Sequence, residues 1–321
     1  MNLFRKFKTY SEIAPDFLSD VKKTLEPRSY QGYLGKSNVF AEWLESKGLA
    51  ETPLKKITDT DMEAFFNYLT EERESAAKTM GLDQPTCKKY KDTLTKVWEY
   101  AKKRGEVDDM PFGLVTLPRK GDDMSSDVIL PEHLVMLLQA FRKRDTQLYL
   151  AASTEYYCFL RPGTELRLLK VGDVNIENGT MQVITDHAKN GHKRIVTIPS
   201  QLADIFIEQK IKDYPPDFYV FGNRHVPGLK PCSVNMFRWR FNKFRDEFKM
   251  SKKYKFYSLK HTGASNLHSS NMVSLHEIMI QLGHSRLSAT EKYIKHHAGF
   301  INTKIRDSFP NPFANLPSAE S

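Results

Sequence analysis

A mainly α-helical chain with one small antiparallel β-sheet, divided into an N-terminal helical domain and a larger helix-rich domain, is the fold this sequence predicts. Three observations predict it. Apolar residues recur at helical spacing up to about residue 115. A polar stretch from Leu117 to Asp127 then loses all periodicity and reads as a linker. Beyond it, only one stretch, between Asn175 and Pro199, alternates as strands do around turn signals. A chain of 321 residues, 40% hydrophobic and 27% charged, can bury two cores and has ordinary globular composition.

In the first half, Tyr33, Phe40, Trp43 and Leu44 mark an apolar stripe ending at Gly48, and Met62, Phe65, Phe66 and Leu69 a second one behind Thr58 and Asp61. A third helix follows Pro85, with Tyr90, Leu94, Val97, Trp98 and Ala101 on one face and Gly105 as its stop. Lys88, Lys89, Lys91 and Lys96 fall on its other faces, where they are either solvated or laid against a polyanion. After the linker, Pro131 to Arg142 predicts an amphipathic helix and Thr146 to Phe159 a more buried one. Asn175 to Ile184 folds back at Asn178-Gly179, and a polar tip, Lys189-Asn190-Gly191-His192, leads into Ile195 to Pro199, which predicts three antiparallel strands. Helices dominate after Leu202. The resulting division is a helical domain over 1–116, a linker over 117–127, a second domain over 128–302 and a tail over 303–321.

The net charge of +9 is concentrated. Between Arg224 and Lys260 there are eleven basic residues against Asp246 and Glu247, which suits either a solvated helix face or a nucleic-acid patch. Phe237, Trp239, Phe241, Phe244 and Phe248 interleave with these charges at near-helical spacing and are expected in the core. Cys87, Cys158 and Cys232 form no pairing or metal motif, which fits a reducing, cytoplasmic compartment. No run approaches the length of a membrane span, and the basic start lacks an apolar signal core.

Chemistry concentrates near the C-terminus. Ser288-Ala289-Thr290-Glu291 fits a capping box with Ser288 as N-cap, which places Tyr293 in the second turn of a short helix. Tyrosine ionises near pH 10, so as a nucleophile it needs cations and a proton acceptor; without them it is a half-buried structural residue. His261, His268, His276, His284, His296 and His297 also crowd this region, but no pair has the i, i+4 spacing of a zinc helix. Neither metal nor cofactor is expected.

Four segments, in order, resemble the tyrosine recombinase, or phage integrase, family: Phe159-Leu160-Arg161-Pro162-Gly163-Thr164-Glu165-Leu166, the hairpin lysine Lys189, Tyr257-Ser258-Leu259-Lys260-His261-Thr262-Gly263, and Leu282-Gly283-His284 through Tyr293. They span residues 126 to 300, and the first half resembles the family's core-binding domain in general pattern. The resemblance implies that Tyr293 attacks a DNA phosphate to form a 3′-phosphotyrosine and release a 5′-hydroxyl. Arg161 would grip the non-bridging oxygens, Lys189 would protonate the departing oxygen, His284 would bond the phosphate and steer Tyr293, and His261 would be the supporting histidine. The chain departs from the family at three places. Tyr257 replaces a histidine, Lys260 replaces a second arginine, so a point charge stands where a planar fork is usual, and Glu165 falls four residues after Arg161, one later than usual.

The expected partner is double-stranded DNA, bound by a homo-tetramer, with accessory DNA-bending proteins as further partners and no membrane. The expected role is site-specific recombination of a mobile element. Two other readings of the same segments are a DNA-binding protein of this fold without catalysis and a type IB topoisomerase-like enzyme. The apolar tail, with Phe300, Ile301, Ile305, Phe309, Phe313 and Leu316, is expected to dock on a neighbouring protomer or on its own domain.

Overall fold

The first helical half closes on an aromatic core. In the computed structural model, which describes residues 7–75, 78–119, 126–184, 193–291 and 294, the chain divides into two compact units, residues 1–123 and 124–321. Unit 1 is built from α1 (Tyr10–Lys22), α2 (Pro27–Ser46), α3 (Asp59–Asn67) and α4 (Gln84–Lys102). Phe40 packs edge-on against both Phe65 and Trp98, with ring centroids 4.8 and 5.8 Å apart, a geometry that the ring quadrupole favours. The expected start of α3 is present: Thr58 N–H donates to Asp61 Oδ2 at 2.8 Å and Asp61 N–H donates to Thr58 Oγ1 at 3.2 Å. The apolar stripes of the sequence do not announce α1, because Pro15 sits inside it and blurs the helical signal. Lys88, Lys89 and Lys96 are exposed on α4, opposite its buried stripe.

Unit 2 begins with α5 (Pro131–Arg144) and α6 (Thr146–Cys158). Asp145 between them accepts from the Leu148 N–H at 3.0 Å, capping α6, and pairs with Arg240. The expected three-stranded sheet follows: β1 (Val174–Asn175), β2 (Thr180–Ile184) and β3 (Lys193–Thr197), antiparallel in the order β1-β2-β3. Gly179 makes the β1–β2 turn with φ +61°, a conformation that suits a residue without Cβ. Met181, Val183 and Val196 are buried whereas Ile195 is 67% exposed. The period of two therefore turns Arg194, the register partner of Val183, towards the interior.

After α7 (Ser200–Glu208) come α8 (Met236–Glu247), α9 (Ser258–Ser269), α10 (Leu275–Leu282) and α11 (Leu287–Glu291). Phe237, Phe241 and Phe244 of α8 are core residues as expected, but Trp239 is 60% exposed and stands with the basic face. The reason is geometric: Trp239 lies two residues from both Phe237 and Phe241, about half a helical turn away from their face. At Gly263 of α9 an added Cβ would lie 1.9 Å from the Tyr156 carbonyl oxygen, so α6 and α9 meet backbone to backbone. Thr262 fixes the same helix to the start of the unit, accepting from the Ile129 N–H at 2.9 Å.

Candidate active site

The turn carrying Arg161 is wider than an α-turn. Phe159 ends α6 in the left-handed region at φ 58°, and Pro162–Leu166 forms a single π-turn, with Leu166 N–H donating to the Arg161 carbonyl at 3.0 Å and Arg167 N–H to that of Pro162 at 3.3 Å. A π-turn holds one residue more than an α-turn, and this absorbs the extra residue between Arg161 and Glu165. Glu165 still folds back, accepting from the Arg161 N–H at 2.8 Å and from Arg161 Nη1 at 2.5 Å.

Glu165 also binds a second guanidinium that sequence reasoning did not single out. Arg194 Nη2 donates to Glu165 Oε2 at 3.0 Å and Nη1 donates to the Gln281 carbonyl at 2.8 Å. The Gln281 side chain in turn clasps the Thr197 backbone, its Nε2 donating to the carbonyl at 2.8 Å and its Oε1 accepting from the N–H at 3.1 Å. One fully buried carboxylate therefore holds two arginines, whose side chains are 29% (Arg161) and 14% (Arg194) exposed. Arg161 faces outward more, and among the described residues Glu165 is the acceptor for its guanidinium. The planar fork retains donors for a second anion.

The Leu282-Gly283-His284 segment is dictated by the same contact. Gly283 ends α10 at φ +69°, with Gly283 N–H donating to the Ile280 carbonyl at 3.0 Å and His284 N–H to that of Met279 at 3.1 Å, the paired bonds of a Schellman cap. A Cβ here would lie 2.6 Å from Arg194 Nε. Glycine thus meets both the backbone requirement and the need for space beside the arginine. His284 leaves this cap with Nδ1 3.0 Å from Thr290 Oγ1 of α11. Burial first, then Lys260, Arg161 and Arg194, push its imidazole down to about 4, with Glu165 opposing. The ring is neutral near pH 7 and is available as a hydrogen-bonding group rather than a charge.

Lys260 lies in α9 with 0% of its surface exposed. Burial lowers its ammonium to about 8, against the opposing pull of Glu165 and Glu155. Its Nζ is 5.7 Å from the centre of the Tyr257 ring, and that ring meets His261 edge-on at 5.4 Å. The structure thus brings Arg161, Lys260 and His284 into one electrostatic cluster, adds Arg194 and Glu165, and places Tyr257 beside Lys260. Lys189 and Tyr293 lie outside the described residues, as does the tail. One local expectation is corrected: α11 starts at Leu287, so Ser288 is inside the helix and is not its N-cap. Arg286 supplies the carbonyl that accepts the Ala289 N–H at 3.1 Å, which begins the first turn before Ser288.

What such a cluster can do is hold an oxyanion between fixed cations in a site screened from water. The sequence profile of the phage integrase family matches residues 127–299, and that of the phage integrase SAM-like domain matches residues 4–116. The chain belongs to the phage integrase family. Its fold resembles that of a lambda integrase dimer bound to a COC′ core site, at TM-score 0.71 and 16% identity over 92% of this chain and 80% of that one. It also resembles a lambda integrase tetramer bound to a Holliday junction, at TM-score 0.71 and 16% identity over 93% of this chain and 82% of the other. The Tn1549 transposon integrase in complex with transposon right end DNA matches at TM-score 0.68 and 14% identity, over 93% and 98% of the two chains. No curated protein matches the sequence.

Proposed function

We propose that the protein is a site-specific tyrosine recombinase of a mobile element, cleaving and rejoining DNA through a 3′-phosphotyrosine at Tyr293. The observation that carries this reading is the cluster of Arg161, Arg194, Lys260 and neutral His284 organised by Glu165. In the proposed step the Tyr293 phenolic oxygen bonds to phosphorus while its proton passes to a base or to solvent. The bond from phosphorus to the 5′-oxygen breaks, and that oxygen takes a proton from Lys189. Arg161 clasps the non-bridging oxygens and His284 donates to one of them, so the charge that builds up in the transition state is matched by fixed donors. Lys260 contributes through its charge in a low-dielectric surrounding. Rejoining reverses the step with another strand's 5′-hydroxyl, and the ester conserves the bond energy, so neither ATP nor a metal is required. Assembly as a tetramer on DNA, with accessory DNA-bending proteins, belongs to the same proposal. Among the described residues no helix is long and apolar enough to cross a membrane.

Incubation with a nicked cognate site tests the reading. The wild-type chain gives an SDS-resistant protein–DNA adduct and Tyr293→Phe gives none while still shifting the DNA; a wild type that shifts the DNA without any adduct is a binding protein. The lysines of α4 supply a second expectation. Replacing Lys89 and Lys96 by alanine weakens binding to all sequences alike and reduces the slope of log affinity against log salt by about 0.9 for each phosphate that is no longer neutralised. An unchanged slope removes α4 from the DNA interface.

A further inference from the structure

Behind the cluster lies a carboxylate that the proposed chemistry does not use. Glu155 of α6 is completely buried, and among the described residues its two carboxylate oxygens meet no hydrogen-bond donor. Its neighbour Tyr156 offers the carbonyl against which Gly263 is pressed. Gly263 follows Lys260 by three residues, and positions i and i+3 share a helix face. The backbone contact of α6 with α9 thus brings the segments that carry Glu155 and Lys260 together, both side chains buried. The electrostatics have the same layout. Lys260 is the charged group that acts on Glu155, whereas Lys260 is itself acted on by Glu155 of α6, Arg161 and Glu165 of the π-turn and Arg194 of β3. His284, after α10, feels Lys260, and on α9 itself the Tyr257 ring stands beside the ammonium and in contact with His261. Lys260 is the link between Glu155 and the anion site.

We propose that Glu155 is a positioning residue for Lys260, a buried counter-charge that keeps the lysine cationic and in place where the family usually carries an arginine. An arginine at this position needs no such help, because its guanidinium remains protonated at any working pH. A buried lysine loses its proton readily, and burial is the largest influence on Lys260. Burial also drives the Glu155 carboxyl well above the ordinary carboxylate range, while Lys260 pulls it back. The two groups therefore titrate as a pair. In its anionic form Glu155 holds the proton on Lys260. With a neutral residue at 155 that support is lost, and Lys260 discharges at lower pH.

The inference rests on the proposed function, and two readouts separate the fate of each. Single-turnover cleavage is followed against pH on a nicked site whose 5′-bridging oxygen is replaced by sulfur. The thiolate leaves without a proton, which removes the Lys189 step from the profile. The wild type is expected to lose activity on the alkaline side as Lys260 discharges. Glu155→Gln moves that limb down by about one pH unit, a typical effect of removing one nearby opposite charge, and Glu155→Asp moves it less. Lys260→Arg removes the limb and makes substitution at 155 silent. A limb that coincides in wild type and Glu155→Gln overturns the proposal; should the Gln variant fold poorly, the same coincidence with Glu155→Asp overturns it. If the wild type forms no adduct, the functional reading fails, and lysine Nζ NMR of the DNA-free protein still decides the inference. A Lys260 midpoint that is lower in Glu155→Gln supports it, and an unmoved midpoint overturns it.

Discussion

Arg161→Ala is expected to cut DNA at least about a thousandfold more slowly than the wild type, the scale on which a guanidinium stabilises phosphoryl-transfer transition states. Arg161 is the more exposed of the two guanidiniums on Glu165, and the π-turn that carries it is closed by backbone bonds that do not depend on its side chain. Removing the side chain leaves Glu165 paired with Arg194, so the fold survives and the loss lies in the chemistry. DNA affinity should fall only modestly, because affinity for a duplex is a sum over many phosphate contacts. Single-turnover cleavage beside a binding titration checks this: a variant that cuts within tenfold of the wild type removes Arg161 from the reacting phosphate.

Glu165→Ala is the opposite case, with its largest effect on stability. The carboxylate is the shared counter-charge of Arg161 and Arg194 and also accepts the Arg161 N–H. Deleting it leaves two cations in a partly buried site beside Lys260, and removing one partner of a buried ion pair costs about 3–5 kcal/mol. Denaturant unfolding of unit 2 should show that loss together with lost cleavage. Glu165→Gln keeps the shape and one acceptor and should fall between the two. An alanine variant as stable as the wild type would mean that the π-turn is held by its backbone alone.

The sequence made much of this legible because its signals are periodic. The stripes of α2, α3 and α4, the Gly179 turn and the three antiparallel strands follow from spacing that any half-buried helix or strand must obey. Helix α1 was hidden by Pro15, and the exposure of Trp239 by its aromatic neighbours. At the site, Arg161, Lys260 and His284 were legible from their motif, and the structure brings them together. Arg194 was not, because it stands just before the apolar strand run Ile195 to Pro199 and carries no motif of its own. The signal was present: Val196 and Ile198 face inward, so a period of two puts Arg194 on the buried face, where an arginine requires a counter-charge. Glu155 had no motif at all. A glutamate within the apolar run of α6 acquires meaning only once Gly263 brings α9 against it, which is tertiary information.

The late spacing of Glu165 shows the limit from the other side. Counting residues puts it out of register with Arg161, yet a π-turn restores the contact. Backbone geometry can conserve an ion pair that residue spacing does not.

The proposed reaction turns on one covalent bond, and locating it is the most direct measurement. A nicked suicide duplex labelled upstream of the cut is reacted, the complex is digested and the labelled peptide is sequenced by mass spectrometry. A nucleotide 3′-phosphate esterified to Tyr293 is the expected product; cleavage that leaves the label on any other residue, or on water alone, contradicts the proposed function.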